Sequence, residues 1–157
     1  MLTFLNLEAE GFCSIESLHL QLNPTCTILI KAPNGKGKST ILSALVWAIY
    51  GKNLKGVSDV NTWKEVRPKD YKGTMVQVFF QKDTHTYKIV RCQKYEEVLE
   101  DGAKGKDRFI FMKDGDIVDI KGKGKIQDFI NREIGLSYTL FMNSIMFGQG
   151  IKRLIQE

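Results

Sequence analysis

Short runs of apolar residues, several of them alternating with polar ones, fill the first part of the chain and predict β-strands. The strands Met75–Gln81 and His85–Arg91 lie only a few polar residues apart, so we predict an antiparallel hairpin there. Asp114–Gly115 is a strong two-residue turn signal and predicts a second hairpin. The full set of predicted strands is Leu2–Ala9, Ser17–Leu22, Thr27–Ile30, Met75–Gln81, His85–Arg91, Arg108–Met112 and Ile117–Ile120.

Other stretches follow the helical period instead. Ser39–Tyr50 is apolar nearly all round, which indicates a helix buried against a sheet, and Gly51 is a natural stop. From Lys125 onward, apolar residues mark one face of a second helix that ends at Gly135. The residues on that face are Ile126, Phe129, Ile130 and Ile134. Ser137 is placed to cap a further helix that carries Tyr138, Leu140 and Phe141.

A glycine-rich, cationic loop, Lys31–Thr40, joins the strand Thr27–Ile30 to the buried helix and reads KAPNGKGKST. It follows the pattern G-x-x-x-x-G-K-[ST], except that Ala32 stands where the first glycine belongs. Glycines let successive N–H groups point at one anion, and a helix N-terminus adds free N–H groups and a positive dipole end. A flexible basic surface loop is the alternative, but the order of strand, loop and helix favours a polyphosphate site.

The pattern also assigns chemistry within this loop. Lys38 is expected to reach the β- and γ-phosphates, and the hydroxyl of Ser39 is expected to bind Mg²⁺. The predicted phosphate-binding residues are Asn34, Gly35, Lys36, Gly37, Lys38, Ser39 and Thr40.

A second candidate for this site lies near the other end of the chain. Gln149 stands between Gly148 and Gly150, directly after the apolar run Ile145–Phe147. A neutral amide in this position can offer its carbonyl oxygen to Mg²⁺ or to a water beside a γ-phosphate. An ordinary turn residue is the alternative.

Composition narrows the class of protein. With 157 residues, of which 43% are hydrophobic, the chain can form one domain with a substantial core. A net charge of +5 is compatible with an acidic partner. Cys13, Cys26 and Cys92 are scattered without metal-ligand spacing and are expected to be small buried side chains in a reducing compartment. No apolar run is long enough for a membrane span, so we expect a cytoplasmic protein.

These elements together resemble the N-terminal lobe of the SbcC-type ATPases, the double-strand-break repair members of the SMC superfamily with ABC-type heads. The resemblance covers essentially the whole chain. Its first half rests on APNGKGKST, which many ATPases share, and its second half on the more particular FMNSIMFGQG, Phe141–Gly150. It implies an α/β P-loop NTPase fold, in which a mixed and antiparallel sheet surrounds the buried P-loop helix.

The resemblance also implies roles and partners. It makes 32–40 the Walker A motif and 148–150 the Q-loop, with ATP and Mg²⁺ as cofactors and with Ser39 and Gln149 on the metal side. It implies a C-terminal lobe, a homodimer of heads formed on ATP binding, an SbcD-type nuclease and double-stranded DNA as partners. Where the family often has a basic residue near the nucleotide, this chain has Cys13 and departs from the family pattern at that position.

Two motifs that ABC-type hydrolysis requires do not occur in this sequence. There is no Gly-Gly pair for a signature loop, and the acidic pair Glu96 and Glu97 follows polar residues rather than an apolar strand. Residues 1–157 are therefore expected to be the N-terminal half of a head, without its coiled coil and C-terminal half, and to be inactive alone. A P-loop nucleotide-binding module or nucleotide kinase unrelated to DNA repair is the alternative.

A Gly-spaced basic stretch offers a possible DNA contact. Lys121, Lys123 and Lys125 alternate with glycines, and Lys104 and Lys106 precede them in the chain. Such lysines can meet phosphates without reading sequence. The alternative is that these lysines lie in solvated loops, where their charge only keeps the protein soluble.

Overall fold

The structure is a computed structural model that describes residues 2–21, 36–53, 56–119, 123–135 and 137–141, with the backbone alone at 2, 36–39 and 123–125. The chain divides into two compact units, Met1–Asp119 and Ile120–Glu157. Each unit is built from the elements that its own sequence pattern favours.

The first unit is built on a six-stranded sheet in the order β2-β1-β3-β4-β5-β6. All of these strands pair antiparallel with their neighbours. Their bounds are β1 Leu2–Phe12, β2 Ile15–Gln21, β3 Thr74–Lys82, β4 His85–Gln93, β5 Arg108–Lys113 and β6 Asp116–Ile117.

One face of this sheet carries helix α1, Lys36–Tyr50. The helix contacts β1, β3 and β4. All of its residues from Ala44 to Tyr50 are buried, as expected of a helix that is apolar nearly all round. The Trp47 ring meets the fully buried Phe12 ring at the end of β1, with the ring centroids 5.7 Å apart. This contact packs α1 against the end of β1.

The opposite face of the sheet is covered by a loop. Residues 94–107, between β4 and β5, fold back so that Tyr95 and Leu99 pack on the sheet. The core beneath them consists of Met75, Val90, Cys92 and Ile110. Paired residues on neighbouring strands share a face, and the register pairs Met75 with Cys92 and Val90 with Ile110. The sheet therefore has apolar cover on both faces.

The second unit contains helix α2, Lys123–Ile134. Ile130 and Ile134 are buried, whereas Ile126 and Phe129 are half-buried. Gly135 ends the helix with a φ of 82°, and its N–H donates to the carbonyl of Asn131. After it, Ser137 Oγ accepts the N–H of Leu140 at 3.3 Å and caps helical residues 138–141.

The fold agrees with the sequence-based elements in type and order, and three of their bounds differ by three residues. Helix α1 begins three residues before the predicted Ser39, and β1 continues to Phe12. The last predicted strand, Ile117–Ile120, is wrong in extent: β6 is only Asp116–Ile117, directly after the tight turn at Asp114–Gly115. That turn has positive φ at both of its residues, as the predicted hairpin requires. The predicted strand Thr27–Ile30 lies outside the described residues.

Candidate nucleotide site

The first turn of α1 contains the last part of the glycine-rich motif. The helix begins at Lys36, so the backbone of Lys36, Gly37, Lys38 and Ser39 forms its N-terminal turn. The first N–H groups of a helix have no partner within it and carry the positive end of its dipole. An anion in front of Lys36 would therefore meet backbone donors as well as lysines.

The other end of α1 is held by a half-buried cation. Arg91 on β4 donates from Nε to the carbonyl of Ala48 at 3.0 Å and from a terminal nitrogen to the carbonyl of Ile49 at 3.3 Å. Its guanidinium also lies 4.6 Å from the centroid of the Phe109 ring. The carbonyls in the last turn have no acceptor role within the helix and carry the negative end of its dipole, so a cation stabilises them.

Burial changes the titration of Arg91 without removing its charge. Desolvation lowers the pKa of its guanidinium to about 10. The side chain is therefore still protonated at neutral pH. Next to it, Gly51 ends the helix with a φ of 75°, and a Cβ there would lie 3.1 Å from an Arg91 nitrogen. The C-terminal end of α1 is thus fixed to the sheet, and this contact also restrains the N-terminal end of the same helix.

The connection from α1 to β3 is tied to the sheet by one asparagine. Asn61 Nδ2 lies within hydrogen-bond distance of three oxygens: Tyr71 Oη at 2.9 Å, Thr74 Oγ1 at 2.7 Å and the Gln93 carbonyl at 3.2 Å. Gln93 Oε1 in turn accepts the N–H of Val60 at 3.0 Å. This network joins residues 60–74 to the ends of β3 and β4.

The same network includes the end of β1, where a glycine is needed. Thr62 Oγ1 and Thr74 Oγ1 both donate to the carbonyl of Gly11, at 3.2 and 2.7 Å. A Cβ at Gly11 would lie 2.2 Å from the carbonyl oxygen of Gly73, and Gly11 has a φ of 59°. No other residue fits here without moving the backbone.

Cys13 lies in the turn that follows, between β1 and β2. Its φ is 50°, and its N–H donates to the carbonyl of Val60 at 2.8 Å. Burial and, to a lesser extent, the charge of Asp59 raise the pKa of its thiol, so the side chain is neutral at pH 7. The turn therefore offers no positive charge at the place where the resemblance expects one.

The structure describes some of the predicted site residues fully, others by their backbone alone, and others not at all. Thr40 is half-buried on α1, while Lys36, Gly37, Lys38 and Ser39 are placed by their backbone alone. Lys123 and Lys125 are likewise placed by backbone, on α2. Other predicted residues lie outside the described residues: Asn34, Gly35, Lys121 and Gln149. Their roles stay predictions.

The structure places two of the three cysteines and the predicted acidic pair. Cys92 is buried as expected, but Cys13 is only half-buried because its turn lies at the end of the sheet; Cys26 lies outside the described residues. Glu96 is exposed and Glu97 forms an ion pair with Lys72, as expected of a solvated acidic pair. No three His, Cys, Asp or Glu side chains come together as metal ligands within the described ranges. Helices there are too short or too polar to cross a membrane.

Sequence reasoning missed Arg91, which fixes the end of α1, and Asn61, which ties the connection after α1 to the sheet. Arg91 appears in the sequence as one more polar residue of an alternating strand. Asn61 lies in a polar stretch without any periodic signal. Their roles depend on partners 43 and 32 positions away in the chain, which no local pattern shows.

The sequence profile of a family described as AAA domain matches residues 6–157. Among individual proteins, exonuclease subunit 2 of Escherichia phage RB69 is 27% identical over 133 residues, which is 83% of this chain and 21% of that protein. The DNA double-strand break repair Rad50 ATPase of Methanopyrus kandleri is 23% identical over 156 residues, 96% of this chain and 16% of that protein. These relatives confirm the resemblance to SbcC-type ATPases. The chain spans about a fifth of the length of these relatives.

Solved structures agree with the α/β fold. The recombination mediator protein RecF bound to ATP matches with a TM-score of 0.52 and 18% identity, over 80% of this chain and 30% of that protein. At this identity the likeness concerns the fold alone. It confirms the predicted fold class.

Proposed function

This chain belongs to the AAA domain family, and on that premise we propose that it is the ATP-binding N-terminal lobe of an ABC-type ATPase head in DNA repair or recombination. The observation that carries the proposal is helix α1, which begins inside the glycine-rich motif and is buried and capped at its other end. A helix held in this way keeps its N-terminal donors in a fixed position, so binding a polyphosphate costs little reorganisation.

Within this proposal, the loop residues divide the work of binding. Backbone N–H groups at Gly35 and Gly37 surround the phosphates, Lys38 neutralises their terminal charge, and Ser39 contributes a hydroxyl to Mg²⁺. Asn34, Lys36 and Thr40 complete the predicted phosphate-binding set. Bound Mg²⁺ would supply charge neutralisation between the phosphates.

Gln149 is proposed as the sensor of the terminal phosphate. Its amide carries no charge, so it adds little to ATP affinity, but it can orient Mg²⁺ or a water when the phosphate is present. Hydrolysis then requires groups from a C-terminal lobe and a second head. We propose that two heads close on ATP, and that this closure regulates an SbcD-type nuclease at double-stranded DNA ends in the cytoplasm.

Lys121, Lys123 and Lys125 are proposed as a DNA contact of this assembly. Lys123 and Lys125 belong to the first turn of α2 and Lys121 precedes it, and their positive charges could contact DNA phosphates. Contacts of this kind carry no sequence preference.

The proposal is tested by single-turnover hydrolysis measured beside equilibrium ATP binding. Residues 1–157 alone are expected to bind ATP with Mg²⁺ weakly and to hydrolyse it negligibly, while addition of the C-terminal lobe restores turnover. In the reconstituted head, Gln149→Ala should reduce hydrolysis far more than ATP affinity. Robust hydrolysis by residues 1–157 alone would contradict the assignment as half of a head.

A further inference from the structure

A short turn on the surface of the first unit, which we call the Trp63 turn, comprises residues 63–67. Its core is a 3₁₀ helix, Lys64–Val66, closed by hydrogen bonds from the Val66 N–H to the Trp63 carbonyl and from the Arg67 N–H to the Lys64 carbonyl. Since this helix has three residues per turn, side chains three positions apart lie on the same side. Trp63 and Val66 therefore share one side, Lys64 and Arg67 the next, and Glu65 the third.

The apolar side of the turn is open to solvent. The Trp63 side chain is 79% exposed and Val66 is 66% exposed. Soluble proteins commonly expose single apolar residues, but an exposed tryptophan paired with a second apolar side chain is typical of an interaction surface.

The turn is also held rigidly, so the exposure does not result from a loose loop. Arg67 Nε donates to the carbonyl of Thr62 at 2.6 Å, and its guanidinium lies 4.6 Å from the centroid of the Tyr71 ring. Thr62 itself is buried, and its N–H donates to Tyr71 Oη at 3.1 Å. The Asn61 network anchors Tyr71 to the sheet. The tryptophan is thus presented on a fixed base.

The turn and the residues that follow it carry three cations without an ion-pair partner among the described residues. Lys64, Arg67 and Lys69 are all exposed, and none forms an ion pair with a residue that the structure describes. By contrast, Lys72 and Lys88 are each paired with a glutamate. Glu65, the one carboxylate within the turn, lies on the third side and forms no ion pair with a described residue. A flat aromatic ring bordered by unpaired cations is complementary to a nucleotide, which has a flat base and an anionic backbone.

We propose that the Trp63 turn binds an unpaired nucleotide of single-stranded DNA, with the base stacked on the Trp63 ring and its phosphates beside Lys64, Arg67 and Lys69. The inference rests on the proposed function, since a DNA end is where unpaired nucleotides occur, and it names a contact separate from the lysines of residues 121–125. A protein partner would equally cover an apolar surface, but it gives no reason for the unpaired cations.

The two tryptophans of the chain make a direct test possible, because Trp47 is 3% exposed and Trp63 is 79% exposed. Titration of the chain of residues 1–157 with an oligothymidylate of about 12 nucleotides, without ATP, should quench the emission of Trp63 and leave that of Trp47 unchanged. In Trp63→Phe the quenching should disappear, while binding of a labelled oligonucleotide, followed by anisotropy, stays within a few-fold of the original.

Truncation and charge removal then separate stacking from electrostatics. Trp63→Ala should weaken oligonucleotide binding about five- to a hundredfold. The matched control is Val98→Ala, which removes a side chain of 60% exposure from the loop 94–107 and should have no effect. The double variant Lys64→Gln with Lys69→Gln should lower the dependence of log affinity on log salt by about 1.4.

Three results would overturn the inference. If Trp63→Ala bound the oligonucleotide with unchanged affinity, no base would stack on the Trp63 ring. Loss of subunit assembly in that variant, seen by sedimentation with DNA binding intact, would assign the surface to a protein. Quenching of Trp63 by ATP alone, in competition with the oligonucleotide, would assign it to the nucleotide of the ATPase. Because the oligonucleotide assay contains no ATP, loss of ATP binding in the original protein would defeat only the proposed function.

Discussion

Two arginines hold opposite faces of the same sheet, and they do so in different surroundings. Arg91 binds the carbonyls of Ala48 and Ile49 at the end of α1. Arg108, on the neighbouring strand, donates to the carbonyls of Tyr95 and Glu97 in the covering loop, at 2.9 and 3.0 Å. Arg108 also lies 3.3 Å from a carboxylate oxygen of Asp101. The helix and the loop are thus both held by hydrogen bonds from an arginine guanidinium to backbone carbonyls.

The two arginines differ in how well water could replace them as donors to the carbonyls that they bind. Ala48 and Ile49 are fully buried, so their carbonyls depend on Arg91. The loop held by Arg108 reaches the surface, where Glu97 is half-buried and Val98 is exposed, so water can replace part of what Arg108 provides. We conclude that the helix face is the rigid support of the candidate site and that the loop face can open locally.

The largest effect is expected at Arg91. Arg91→Ala should lower the free energy of unfolding by about 3 kcal/mol, because two buried carbonyls lose a charged donor. ATP affinity should fall with it, since α1 is no longer fixed. Denaturant unfolding and ATP titration measure the two effects. Arg91→Lys is the control and should keep part of the stability; an Arg91→Ala protein with normal stability and ATP affinity would show that the helix needs no such anchor.

Lys38 lies in the first turn of α1, and Lys38→Ala tests directly whether this lysine binds the phosphates of ATP. Loss of a charge-assisted contact to the phosphates should weaken ATP binding by about 1.5 to 3 kcal/mol, or roughly ten- to a hundredfold. Lys36→Ala should have a much smaller effect, since Lys36 occupies a variable place of the motif. Equal losses in an ATP titration of the two variants would mean that the loop is a diffuse basic patch.

At the loop face, Arg108→Ala should cost less, about 1.5 kcal/mol of unfolding free energy. The expected signature is local: faster amide hydrogen exchange in residues 94–107, with ATP affinity unchanged. If ATP affinity fell as far as in Arg91→Ala, the two faces would not be separable in this way.

The smallest effect concerns the hairpin at the edge of the sheet. The N–H of Thr86 and, next, the His85 side chain lower the pKa of the Asp114 carboxyl. A lowered pKa means that the carboxylate adds stability above its unfolded pKa of about 3.9, and that this stability is lost as pH falls through the folded value. Unfolding curves below pH 5 should therefore be less pH-dependent in Asp114→Asn, with Asp116→Asn as the control. Identical pH profiles for the original and Asp114→Asn would contradict this.

Much of this architecture is local and was therefore predictable. Strand alternation, the Asp114–Gly115 turn and the glycine stops at Gly51 and Gly135 act within a few residues, so the sequence predicts them well. The helix Ser39–Tyr50 was predicted as buried because it has no polar face. The start of this helix at Lys36 could not be predicted from the sequence, because the end of a helix depends on the conformation of the backbone that precedes it.

The sequence by itself determined the order of strands and helices, the family resemblance and the candidate phosphate loop, because each depends on residue types at short spacing. Only the tertiary structure decided that Arg91 caps α1, that Asn61 joins three segments and that Trp63 is exposed on an anchored turn. These features depend on residues far apart in the chain that meet only when the sheet pairs. Hydrogen-bond partners and solvent exposure are properties of that assembled packing.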